Sequence, residues 1–142
     1  MFVSKFLVTI FYTNLILILS LLVTYMYSGV IFGQYMADIS LVSSGFIGIM
    51  MFVNFNIALA YFIISFTKNN FLVMVVTLFN YYALPSLISI FSFIKITPYT
   101  LVSGITMSPA SLHYKYSLLL TLSVIIVMIG LGMYSIQKYK LE

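Results

Sequence analysis

From Phe6 to Ile31 the chain carries no charged side chain, and the same holds for Leu41 to Phe66, Phe71 to Ile94 and Tyr116 to Ile136. A bilayer core about 30 Å thick is crossed by about 20 helical residues. Each of the four runs reaches that length. A soluble domain draws roughly a quarter of its residues from Asp, Glu, Lys and Arg, whereas 6% are charged here and the mean hydropathy is +1.20. Lipid is therefore the solvent in which this chain folds. The expected fold is all-α: a single transmembrane domain over residues 1–142, built as a bundle of four transmembrane helices. The spans are about 6–31, 41–66, 71–94 and 116–136.

The first run is too long for the 7–15-residue apolar core of a secretory signal peptide, and no Ala-x-Ala cleavage pattern follows it. It reads as a retained span. Asp38 stands alone in the first connection, and Thr67-Lys-Asn-Asn70 makes a tight polar turn. The outer segment 95–115 is too polar to span and too apolar to hang free in water. Pro98 and Pro109 punctuate it, while Leu101, Val102, Ile105 and Met107 need cover. Short interfacial helices between the third and fourth spans, lying on or dipping into the outer leaflet, meet both needs. Tyr99, Tyr114 and Tyr116 suit that membrane interface.

Four spans put both termini on one side. That side holds Lys5, Lys68, Lys138 and Lys140, and the other holds Lys95, Lys115, His113 and Asp38. Lysine is retained on the cytoplasmic side of short loops, so the expected location is the cell membrane, multi-pass, with both termini cytoplasmic.

Little in the chain supports chemistry. The net charge of +4 comes from lysines scattered singly, which points to topology and not to nucleic acid. There is no cysteine, hence no thiolate metal site. A metal site takes three or four ligands, and His113 with two acids cannot supply them. Asp38 and Glu142 fall on opposite sides and cannot work as an acid–base pair. No Ser-His-Asp arrangement and no phosphate loop ending in Gly-Lys-Ser or Gly-Lys-Thr occurs. The expectation is a protein that is not an enzyme, with no cofactor and no metal.

Buried polar groups carry the remaining signal. An unpaired amide in hydrocarbon costs several kcal/mol, about 2–7 by transfer scales, so every asparagine in a span needs a partner. Asn14, Asn54 and Asn56 are candidate interhelical contacts. Asn54 and Asn56, two residues apart, point about 200° away from each other. Asn80, Tyr81, Tyr82 and Pro85 are candidates for lining a substrate path. Pro85 removes the donor that the Tyr81 carbonyl would otherwise receive, which predicts a break in the third span. Small residues at Gly29-x-x-x-Gly33, Ser44-x-x-x-Gly48, and Gly130 with Gly132 sit at helix-packing spacings.

The opening Met1-Phe-Val-Ser-Lys-Phe-Leu-Val, the Asn80–Pro85 stretch, Phe93-Ile-Lys-Ile-Thr-Pro-Tyr99 and the ending Gly132-Met-Tyr-Ser-Ile-Gln-Lys-Tyr-Lys-Leu-Glu142 together resemble type 2 ATP-binding-cassette (ABC) exporter permeases. The likeness is strongest to small permeases of peptide-antibiotic (lantibiotic or bacteriocin) export and immunity systems in bacteria. That family has six spans, and the chain resembles the last four, without the first two helices and the segment that couples to the ATPase. The resemblance implies a permease subunit, or part of one, for a peptide or small hydrophobic compound. It implies as partners a separate ABC ATPase subunit, a second permease chain and membrane lipid, and no nucleic acid. It also implies that the third span here, with Asn80, Tyr81 and Tyr82, helps line the path. The alternative is a small non-transporting membrane protein, such as a bacteriocin-immunity or assembly factor.

Overall fold

The computed structural model describes residues 2–33, 38–90, 96–102 and 111–141. Four α-helices follow in order: α1 (Phe2–Phe32), α2 (Ile39–Thr67), α3 (Asn70–Ile90) and α4 (Leu112–Leu141). Among the described residues a 3₁₀ turn, Pro98–Leu101, lies between α3 and α4. The chain is an all-α helical membrane bundle. α1, α2 and α4 are each long and apolar enough to cross a membrane, and α3 is apolar from Asn70 to Ala83.

Each connection has a local cause. Asp38 caps α2, accepting from the Ser40 backbone N–H at 3.2 Å and from the Ser40 hydroxyl at 2.9 Å. Those two bonds hold the Asp38 carboxyl below its ordinary pKa. Its cap is thus present above the usual carboxylate range and lost as acid titrates through the lowered value. α2 ends on Lys68, which adopts the left-handed conformation (φ 51°) and donates its N–H to the Ile64 carbonyl, a common helix stop. Asn69 then caps α3 through Oδ1, which accepts from Phe71 N–H at 3.0 Å. Two residues therefore reverse the chain.

The expected break at Pro85 is not observed, since α3 is helical from Asn70 through Pro85 to Ile90. A proline removes one backbone bond, and membrane helices tolerate that loss where neighbouring groups compensate. The side chain of Pro85 lies outside the described residues, and so does its candidate lining role.

α2 is the hub. Ser44, Gly45, Gly48, Phe52, Phe55, Ala58 and Ser65 are buried along one stripe, at the three- and four-residue spacings of a single helix face. α4 answers with Tyr114, Ser117, Thr121, Gly132 and Ser135. Most of these are small, so the backbones approach closely. Tyr114 OH donates to the Ser44 carbonyl (2.5 Å) and Ser135 Oγ to the Ser65 carbonyl (3.2 Å). Both pairs span the same offset in sequence, so α2 and α4 run parallel. α3 runs antiparallel to α2, through Asn80 against Asn56. α1 is also antiparallel, with Thr9 Oγ1 2.8 Å from Tyr61 OH and the Phe6 ring edge-on to the Tyr61 ring.

This up-and-down order gathers the start of α1, the α2–α3 turn and the end of α4 at one end of the bundle, with Lys5, Lys68 and Lys138. Asp38, His113 and Lys115 mark the other end. The expected separation of charge thus has a structural basis for these six residues, while Lys95 lies outside the described residues. The spacing glycines divide in role. Gly48 and Gly132 are buried, whereas Gly130 meets nothing and faces outward.

Candidate functional site

The unusual feature is a short 3₁₀ turn packed inside the bundle. Pro98–Leu101 begins on Thr97, whose Oγ1 accepts from Thr100 N–H while Thr100 Oγ1 accepts from Thr97 N–H. Pro98 occupies the first turn, where its missing N–H costs nothing. The turn is therefore locally self-satisfied and can leave the aqueous boundary.

Its position is set by three helices. Leu101 is fully buried against α2, where a Cβ added to Gly48 would lie 2.4 Å from the Leu101 carbonyl oxygen. Gly48 is nine residues beyond Ile39, roughly 14 Å along α2 at 1.5 Å per residue. Thr100 Oγ1 is 2.6 Å from Ser117 Oγ of α4, and Ser117 is itself fully buried. Tyr99 OH donates to Asn80 Oδ1 of α3, and its ring lies 5.5 Å from that of Phe52. One short turn thus reaches α2, α3 and α4 together.

Below the turn a relay of amides continues. Asn80 Nδ2 donates to Asn56 Oδ1 at 2.7 Å, and Asn56 Nδ2 donates to the Phe52 carbonyl at 2.9 Å. Each bond in such a chain polarises the next. Asn56 therefore is an interhelical contact, and its partner is Asn80. Asn80 is 4% exposed with both ends of its amide engaged. Tyr81 and Tyr82 point outward, 54% and 69% exposed, with Tyr81 leaning on Phe52 and Tyr82. The structure thus brings Asn56 and Asn80 together with Tyr99 and leaves Tyr81 and Tyr82 on the outer surface of α3.

Asn14 and Asn54 behave differently. The Oδ1 of each is buried without a hydrogen-bond partner. Asn54 precedes Tyr61 by seven residues, two helical turns less about 20°, so it shares the face that meets α1. Counting from the Thr9–Tyr61 contact along two antiparallel helices, Asn14 and Asn54 fall within about one turn of each other in depth. The four asparagines thus form one polar layer near the middle of α2.

Tyr99, Thr100, Ser117, Thr121 and Gly48 are the residues that sequence reasoning missed here. Tyr99 and Tyr114 read as interfacial aromatics, yet Tyr114 is buried on Ser44 and Tyr99 engages Asn80. Ser44-x-x-x-Gly48 read as helix-on-helix spacing, yet Gly48 admits the backbone of a turn. Among the described residues no three His, Cys, Asp or Glu side chains come together. No family model, no curated protein and no solved structure matches the chain.

Proposed function

We propose that this chain is the permease subunit, or part of one, of an ABC exporter for a peptide or small hydrophobic compound. Its partners are a separate ATPase and a second permease chain. The observation that carries the reading is the seated turn between α3 and α4, a short 3₁₀ segment packed among α2, α3 and α4. Irregular backbone at membrane depth occurs where protein or a cavity satisfies it, and in transporters it is commonly near the transported species. The alternating order of the helices and the resemblance of the terminal strings support the same assignment. The lysine-rich end then faces the cytoplasm of a bacterial cell, with both termini inside. On this reading ATP is hydrolysed by the partner, and movement of the helices is driven from outside the chain.

A second reading, a bacteriocin-immunity or assembly factor that transports nothing, is favoured by one specific observation. Asn80 is committed to Asn56 and Tyr99 and so offers no free group to a passing substrate.

Co-expression with an ABC ATPase from the adjacent reading frames separates the two, and the exporter reading expects such a frame to be there. The exporter reading expects the pair to co-purify in mild detergent, with ATPase activity only in the complex. A folded chain that never co-purifies with that ATPase, both proteins being present, supports the immunity-factor reading.

A further inference from the structure

The Pro98–Leu101 turn sits among the helices as a bound peptide would, and its last three side chains report what the seat accepts. The Tyr99 phenol donates to Asn80 Oδ1 of α3, and its ring stands edge-on to that of Phe52 on α2, centroids 5.5 Å apart. Thr100 Oγ1 lies 2.6 Å from Ser117 Oγ of α4. Leu101 is fully buried at Gly48, whose missing Cβ makes its slot. Asn80 and Ser117 are 4% and 0% exposed, so both aim polar atoms at the turn from inside the bundle. No charged side chain takes part in these contacts. The seat therefore reads a phenol, a hydroxyl and an aliphatic side chain in consecutive positions of an uncharged stretch.

The turn is also held as a ligand is held. Among the described residues its backbone bonds are internal: Thr100 N–H to the Thr97 carbonyl at 3.2 Å, and Val102 N–H to the Tyr99 carbonyl at 3.1 Å. Its hydrogen bonds to Asn80 and Ser117 come from side chains. It leaves the seat without breaking a backbone bond, and Thr100 keeps its own bond to the Thr97 carbonyl at 2.6 Å. The helices tolerate the departure as well. Asn80 stays bonded to Asn56 through Nδ2. The Ser117 hydroxyl can turn back onto its own helix, as Thr121 does onto the Ser117 carbonyl at 2.6 Å. What then stands open is one amide oxygen, one hydroxyl and a glycine slot, the complement of the three side chains that left.

We propose that this seat is a peptide-binding site that the chain occupies with its own Tyr99-Thr100-Leu101, an autoinhibitory contact. Its ligand is an uncharged peptide stretch with a phenol and, two positions later, an aliphatic side chain. A tethered competitor acts at an effective concentration on the order of millimolar, so a free peptide enters only near that concentration or after the turn is weakened. The inference rests on the peptide part of the proposed function and not on the ATPase partnership, since an exporter and an immunity factor would both use such a site.

The test uses the whole chain in phosphatidylcholine nanodiscs and the capped peptide acetyl-Thr-Pro-Tyr-Thr-Leu-Val-amide, with photoleucine in place of leucine. Cross-links to residues 44–52 of α2 are mapped by mass spectrometry. Tyr99→Ala with Leu101→Ala removes two anchors of the turn, and at about 0.1 mM peptide it should label at least about tenfold more than the native chain. Phenylalanine for tyrosine in the peptide should lower that labelling by up to about tenfold, the ratio one ordinary hydrogen bond supplies. Thr100→Cys with Ser117→Cys locks the turn in place. The two oxygens replaced are 2.6 Å apart, near the about 2.05 Å of a disulfide, and the chain has no other cysteine. At millimolar peptide the oxidised lock should show no labelling of residues 44–52, and reduction should restore it to the native level. Equal labelling of the oxidised and reduced forms overturns the proposal, whatever the anchor variant does. So does failure of the disulfide to form, or a helical anchor variant that labels no better than the native chain.

Discussion

Gly48→Leu is expected to expel the Pro98–Leu101 turn from the bundle. Even a Cβ at this position would lie 2.4 Å from a backbone oxygen of Leu101, and backbone cannot swing aside as a side-chain tip can. Overpacking of a tight core costs about 1–3 kcal/mol and occasionally more. The loss does not stop at the clash. Once the turn lifts, Leu101 leaves its fully buried seat, and Ser117 loses Thr100. Burial of a leucine side chain is worth about 1.5–3 kcal/mol relative to exposure in water, so a displaced turn forfeits a comparable amount. Gly48→Ala should show a reduced version, because alanine recovers about 1 kcal/mol of helix propensity. Leu101→Cys reports the outcome in this cysteine-free chain. The thiol should resist a membrane-impermeant maleimide in the native background and react readily in Gly48→Leu. Equal reactivity in both backgrounds would contradict the seating of the turn.

Asn80→Leu is the second large effect. It strands Asn56 Oδ1 and the Tyr99 hydroxyl at once, since Asn80 accepts from one and donates to the other. An orphaned buried polar group costs about 1–3 kcal/mol, while interhelical bonds in membranes average nearer about 0.6 and reach about 2. A net loss of about 1–3 kcal/mol is therefore expected, read as a lower midpoint in detergent unfolding followed by circular dichroism. Asn56→Leu should cost less, because it strands one side-chain group, Asn80 Nδ2, while the Phe52 carbonyl it also releases keeps its place in the backbone of α2. The double variant should fall short of the sum of the two by about 0.5–2 kcal/mol, as residues in one network do. Additive losses would mean that the two amides stabilise the bundle independently. Because the seated turn shares this network, Tyr99→Phe should remove part of the same energy and leave the Asn56–Asn80 bond intact.

The long apolar helices were legible in the sequence because lipid imposes a simple rule, long uncharged runs, and α1, α2 and α4 are each long and apolar enough to cross a membrane. The polar turn Thr67-Lys-Asn-Asn70 was legible because turn-forming residues act over a short range, whereas the left-handed Lys68 and the Asn69 cap that reverse the chain appear only in the structure. Sequence reasoning also marked Asn56 as an interhelical contact. It did not name Asn80 as the partner, because pairing depends on the depth and rotation of two helices and not on spacing within one. The role of Tyr99 was illegible for a stronger reason. A tyrosine beside a lysine-flanked proline looks interfacial, and only the three-helix packing shows that the turn sinks inward and carries the phenol to Asn80. Gly48 was visible as a small residue, but small residues mark close approach without saying what approaches. Pro85 misled in the opposite sense. Its missing donor predicts a break, yet α3 continues past it, since one lost bond does not terminate a helix that its surroundings support.

An exporter subunit of this kind requires a bundle that crosses the membrane with alternating helices and a lysine-bearing end inside the cell. Single cysteines in the cysteine-free chain test it directly. Asp38→Cys and His113→Cys, at the opposite end from the lysines, should react with an impermeant maleimide added to intact cells. Asn69→Cys and Lys138→Cys should react only after the membrane is permeabilised. Labelling of residue 69 from outside intact cells, with residue 38 protected, would invert the orientation. Labelling of residues 38 and 69 from the same side would break the alternating order itself and contradict the fold on which every other inference rests.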